Sequence, residues 1–174
     1  MTSHLTGIRP KSPFVILYGD APQAEKGVLE GTIVFDSPEG VDATNIKVEL
    51  IGRYKTQWFT NTVSAQKVQE KKEHYHDSKY LLPSSGSSSS HKIKGQHEWP
   101  FKFDIPGDIM ESVEGLYCGY IVYELSATIE RSGFTTKNIQ AAKKHIRIIR
   151  TLAERTEDDL LYDQVGYCSS GHGR

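Results

Sequence analysis

The 174-residue sequence predicts an all-β fold, an antiparallel β-sandwich. The stretch Trp99-Pro-Phe101-Lys-Phe103-Asp-Ile105-Pro places large apolar side chains at every second position, the period of a half-buried strand. A longer run places Gly119, Ile121, Tyr123, Leu125, Ala127 and Ile129 on one face. The other face, Tyr120, Val122, Glu124, Ser126, Thr128 and Glu130, becomes more polar towards its end. Further strand-like runs follow at short intervals with turn residues between them, which favours antiparallel layers over alternating strand and helix. Two strands alone would not be stable, so the chain has to supply a sheet and a second one to cover it.

Residues 1–12 read as a flexible leader and 13–152 as the sandwich. Phe14–Tyr18 (FVILY) is short, apolar and β-branched, an edge strand ended by the turn Gly19-Asp-Ala-Pro22. In Val28–Phe35 the set Leu29, Gly31, Ile33 and Phe35 points inward, and Asp36-Ser-Pro-Glu-Gly40 reads as a turn. Ile46–Arg53 follows with Ile46, Val48 and Leu50 inward, then Tyr54–Ser64 with Trp58 or Phe59 buried. Val68–Leu82 has a composition that would suit a solvated helix, but Tyr75 and Tyr80 favour a long, charged, edge-like strand. Residues 83–90 are serine-rich and have no side chain to pack, so a mobile loop is expected before His91–Phe103 resumes the sheet. Pro106-Gly107 stops that strand. Asn138–Thr151 is the last strand, with Ile146 and Ile148 inward, and 153–174 is a polar tail.

Composition bounds the function. A net charge of -1 gives no general attraction to nucleic acid or to anionic membrane. No run of 18 apolar residues occurs, and the N-terminus lacks the apolar stretch of a signal peptide. Two cysteines make neither a disulfide framework nor a zinc site; Cys118 reads as a buried or half-buried strand thiol and a reducing compartment as the default. No nucleophile elbow, phosphate-binding loop or HExxH appears. His74 and His76 would share one face of a regular strand beside Glu73, but two imidazoles without a third ligand read better as exposed histidines. Ser112 has no base partner and reads as a turn serine. No catalytic site, cofactor site or metal site is expected.

The informative charge lies between Arg131 and Arg150, where Arg131, Lys137, Lys143, Lys144, Arg147 and Arg150 occur with no acidic residue. Strict alternation would put Lys143, His145 and Arg147 on one face and Lys144 and Arg150 on the other. Such a ridge attracts acidic peptides, phosphopeptides or lipid headgroups. Equally, it suits a solvated sheet face paired with the acidic segment 154–163. Charge reversal at Lys143 and Arg147 would separate the two readings.

The pattern WPFxFxIPxxxxESVEG followed by GxIxYELxATIER, with Gly27-Val-Leu-Glu-Gly31-Thr-Ile-Val-Phe35 and Ile46-Lys-Val48-Glu-Leu50-Ile-Gly52 before it, resembles the N-terminal domain of the arrestin superfamily. It is most similar to the fungal alpha-arrestins, over roughly residues 14–151. The resemblance implies an immunoglobulin-like β-sandwich and a non-enzymatic adaptor. That adaptor would recognise the cytoplasmic tails of membrane transporters or receptors for ubiquitin-dependent endocytosis. It implies a WW-domain HECT ubiquitin ligase as partner, a cytoplasmic location and recruitment to plasma membrane or endosomes by peripheral association. None of the seven prolines begins a Pro-x-Tyr ligase motif, and a second arrestin domain is expected to be absent. The basic pair of receptor arrestins is not matched on Phe14–Tyr18; Arg9 and Lys11 lie just before it. A structural subunit of a sorting coat, like the arrestin-fold subunit of retromer, is the alternative role. Surface left open by a missing second sandwich would favour self-association, readable as dimerisation in sedimentation at high concentration.

Overall fold

The computed structural model describes residues 4–21, 24–60, 66–82, 90–131, 138–140 and 143–151, with side chains from residue 7 onward. Among the described residues ten strands form two sheets. The smaller holds β1 (His4–Pro10), β3 (Gly27–Ala43) and β6 (His91–Ile105) in the order β1-β3-β6. The larger runs β2 (Phe14–Tyr18), β10 (Lys144–Thr151), β8 (Gly119–Glu130), β4 (Asn45–Phe59) and β5 (Lys67–Tyr80). Two short strands, β7 (Val113–Leu116) and β9 (Ile139–Gln140), pair with β8.

The inner faces are those the alternation marks. Leu29, Ile33 and Phe35 of β3 meet Phe101, Phe103 and Ile105 of β6 from one layer; Val48, Leu50, Tyr123, Leu125, Ile146 and Ile148 close the core from the other. A second cluster around Phe35, Val41, Ile46, Ile93 and Ile129 fills one end. Gly31 is part of this packing, because a Cβ there would stand 2.5 Å from the Phe101 ring.

Several expectations need correction. The leader is not loose over 4–10: these residues form β1, paired antiparallel with β3, since Ile8 finds a place in the core. The chain's first strand therefore does carry Arg9, 3.9 Å from Glu98, and Lys11 just after it lies 2.6 Å from Glu30. Asp36–Gly40 does not end a strand. The β3–β6 ladder continues past it through a register shift between Ser37 and Val41, where Gly40 takes a φ of +84° that suits glycine. The segments 46–53 and 54–64 are one strand as far as Phe59, and neither Trp58 nor Phe59 is buried, because β4 outruns the core there. Cys118 is exposed, in the turn between β7 and β8. Among the described residues the strands pair antiparallel, as expected, except β10 with β2, which are parallel. The charged segment from Val68, by contrast, is the edge strand expected: β5 is paired with β4 and, among the described residues, with no other strand. Residues 83–89, most of the serine-rich stretch, and the tail 152–174 lie outside the described residues.

Candidate docking face

The outer face of the larger sheet is organised by register. Lys47, Glu49, Ile51 and Arg53 of β4 lie beside Thr128, Ser126, Glu124 and Val122 of β8, and His145 of β10 lies beside Glu124. On the other flank, His76 pairs with Ile51 and Glu73 with Arg53. Cross-strand partners share a face, so these side chains meet. They form a continuous line: Lys47 to Glu49 at 2.6 Å, Glu49 to His76 at 3.1 Å, His76 to Glu73 at 3.3 Å, and Glu73 to Arg53 at 3.9 Å. Arg53 then reaches Glu124 at 3.2 Å, and Lys143 reaches the same carboxylate oxygen at 2.6 Å. Reading the sequence alone missed this line, because its members come from four separate segments and only the register joins them.

The line fixes the state of its carboxylates. Burial raises the Glu124 pKa, but hydrogen bonds from Lys143 and Arg53 outweigh it and hold the carboxyl below its ordinary value. Glu49 is lowered in the same way, burial being outweighed by bonds from Lys47 and His76. A carboxyl whose pKa is lower in the folded chain adds stability above the unfolded pKa and loses it as pH falls through the folded one. Stability should therefore decline on acidification through the glutamate range. The Glu124→Gln variant should show a shallower decline in urea unfolding across the same pH series.

Inside the sheet, a bulge decides the fate of the two histidines. Gly52 pairs with Tyr75 and Arg53 with Glu73, which leaves His74 as the extra residue. His74 therefore turns to the core side and lies edge-on to Tyr123, while His76 stays outside. The two imidazoles do not share a face, and among the described residues no group of three His, Cys, Asp or Glu could hold a metal. The Tyr123 hydroxyl donates to the Met110 carbonyl, so His74 Nε2–H donates to the Tyr123 oxygen at 2.9 Å. Burial lowers the His74 pKa, since its other nitrogen has no partner among the described residues. It favours the fold above about pH 6.5 and that contribution is lost below. Tyr75, beside Tyr123, is pushed up to about 12, first by burial and then by Asp77 and Asp104.

The basic residues singled out in the sequence separate into different roles. Arg150 points inward: its guanidinium donates to the carbonyls of Gly19 at 3.2 Å, Gly107 at 2.8 Å and Ile109 at 2.9 Å. Lys143 is engaged with Glu124. Arg131, at the end of β8, has a buried Nε without a hydrogen-bond partner among the described residues. Lys144 and Arg147 are exposed, Arg147 beside Phe14 on the outer face with the exposed Ile149 two residues on. Lys137 lies outside the described residues. Ser112 does more than turn the chain. Its hydroxyl accepts from Ile148 N at 2.9 Å and its N–H donates to Ile148 O at 2.7 Å, extending the ladder of β10 beyond its contact with β8.

The two-sheet architecture and these sequence patterns define an arrestin-type β-sandwich domain. Residues 23–154 match the family described as arrestin (or S-antigen), N-terminal domain, and the chain belongs to that family. An arrestin domain-containing protein of Schizosaccharomyces pombe is 35% identical over 142 residues, covering 79% of this chain and 23% of its own length. Protein ROD1 of Saccharomyces cerevisiae is 45% identical over 78 residues, 42% of this chain and 9% of ROD1. The HECT-type ubiquitin ligase-interacting protein creD of Emericella nidulans is 27% identical over 148 residues, 83% of this chain and 24% of creD. Among solved structures, the sporulation control protein Spo0M of Bacillus subtilis aligns with a TM-score of 0.47 at 13% identity, covering 82% of this chain and 49% of that one. The chain thus spans about a quarter or less of the length of these curated relatives.

Proposed function

We propose that this domain recognises acidic or phosphorylated cytoplasmic tails of membrane transporters or receptors and links them to a HECT-type ubiquitin ligase. It would act in the cytoplasm, with recruitment to plasma membrane or endosomes. The observation that carries the reading is membership of the arrestin N-terminal family together with relatives named as HECT-type ubiquitin ligase-interacting proteins. On this reading the tail lies along β10, where Arg147 offers a fork for carboxylate or phosphate and Ile149 an apolar neighbour. Lys144 adds charge, whereas Lys143 is less available because Glu124 already holds it. With no Pro-x-Tyr in these 174 residues, ligase contact would use another motif or another part of the full protein.

Titration of a labelled acidic tail peptide at low salt tests this. Arg147→Glu should weaken binding about tenfold, as expected for loss of one charge-assisted pair. Equal affinity in the two proteins would remove β10 as the tail site. Recovery of coat subunits instead of ligase and transporter tails from cytosol would favour the sorting-coat role.

A further inference from the structure

The β4–β5 ribbon and the turn after β7 meet at one end of the larger sheet. Beyond Thr56, whose partner is Gly119, β4 leaves β8 behind and runs on with β5 alone. Trp58 and Phe59 are 51% and 46% exposed, on opposite faces of that ribbon. The turn after β7 brings Leu116 and Tyr117 to the same end, 57% and 77% exposed. Gln57 fastens the turn to the ribbon: its backbone N–H donates to Cys118 O at 2.7 Å and its side chain to Tyr117 O. Phe59 and Tyr117 stack with ring centroids 6.4 Å apart and planes 17° from parallel. The aromatic surface is thus held in place without being covered.

Charge on the face of the ribbon that carries Phe59 is one-sided. Lys55 and Lys71 are a direct cross-strand pair, and Lys67 is the cross-strand partner of Phe59. Like charges placed opposite one another are unfavourable on a sheet. None of the three forms an ion pair among the described residues. Glu70 pairs with Thr56, on the other face of the ribbon, and bonds the Tyr54 hydroxyl at 3.1 Å. Glu111 and Glu114, before and within β7, are exposed carboxylates on the adjoining segment.

We propose that this end of the sheet contacts a bilayer rich in anionic phospholipid. Trp58, Phe59, Leu116 and Tyr117 enter the boundary between headgroups and acyl chains, and Lys55, Lys67 and Lys71 meet lipid phosphates. Trp and Tyr favour that boundary because each joins an apolar ring to a polar hydrogen-bonding group. Trp58 and Phe59 project from the end of the β4–β5 ribbon and Tyr117 from the turn after β7, while Leu116 with Lys55 borders an apolar pocket beside them. Three lysines without an ion pair among the described residues suit a diffuse anionic surface more than a single carboxylate. This contact is separate from tail recognition by Arg147, which lies on another strand.

The test is co-sedimentation of the full chain with vesicles of phosphatidylcholine alone and with added phosphatidylserine. It is run on a Trp99→Phe background so that Trp58 is the only tryptophan. The chain should sediment with the anionic vesicles, less so at high salt, and Trp58 emission should shift to the blue. Joint Phe59→Asp and Tyr117→Asp substitution should lower partitioning about tenfold or more. Joint Lys55→Gln, Lys67→Gln and Lys71→Gln should abolish the preference for anionic lipid. An unchanged urea midpoint shows that these exposed substitutions leave the fold intact. Failure to bind either vesicle overturns the proposal, as does equal binding by the aromatic double variant. Capture of an apolar peptide by a chain that ignores both vesicles also overturns it, and none of these results bears on peptide titration at Arg147.

Discussion

Tyr123→Ala should lower the free energy of unfolding by about 3–5 kcal/mol, the range for removing a buried aromatic ring. Tyr123 is fully buried, meets Tyr75 and His74 edge-on, and ties the bulge of β5 to the connection at Met110 through its hydroxyl. Tyr123→Phe keeps the ring and should cost about 1–2 kcal/mol, the loss of a buried hydrogen-bonding group. The ring has its place because residue 52 is glycine: a Cβ there would stand 2.5 Å from Tyr123 Cε1 and 3.0 Å from His74. Gly52→Ala should therefore destabilise by about 1–3 kcal/mol through overpacking. Urea unfolding with an unchanged slope checks all three. A Tyr123→Ala loss below about 1 kcal/mol would show that the ring is not the centre of this end of the core.

Arg150→Met should cost about 2–4 kcal/mol, because charge-assisted hydrogen bonds are among the stronger ones and three carbonyls lose their donor together. Those carbonyls belong to the turn after β2 and to the connection after β6, so the guanidinium joins both to β10. Arg150→Lys keeps the charge but not the fork and should recover only part of the loss. Methionine or lysine at full stability would return Arg150 to the set of surface cations and so to the docking face.

The sandwich was legible because its signal is local. Alternation in 99–105 and 119–130 names the buried faces, and Leu29, Ile33, Phe35, Val48, Leu50, Ile146 and Ile148 are buried as the period requires. What escaped notice depends on pairing. One extra residue in β5 turns His74 inward and leaves His76 outside, and no composition signal marks a bulge of that kind. Alternation rightly placed Arg150 on the face opposite Arg147, yet a positive residue on the inner side of a strand looks like a ridge cation until the carbonyls around it are seen. Either Trp58 or Phe59 is expected inside, since a strand turns one of two neighbours to the core. They stand outside because the strand that carries them is longer than the layer that would cover it.

The most direct test of tail recognition along β10 is two-dimensional nitrogen–proton NMR of the labelled chain during addition of an acidic, phosphorylated tail peptide. The amides of Lys144–Thr151 and the adjacent Phe14–Tyr18 should shift in a saturable way, with those of β3 and β6 unmoved. Shifts confined to β3 and β6, or none at saturating peptide, would contradict it.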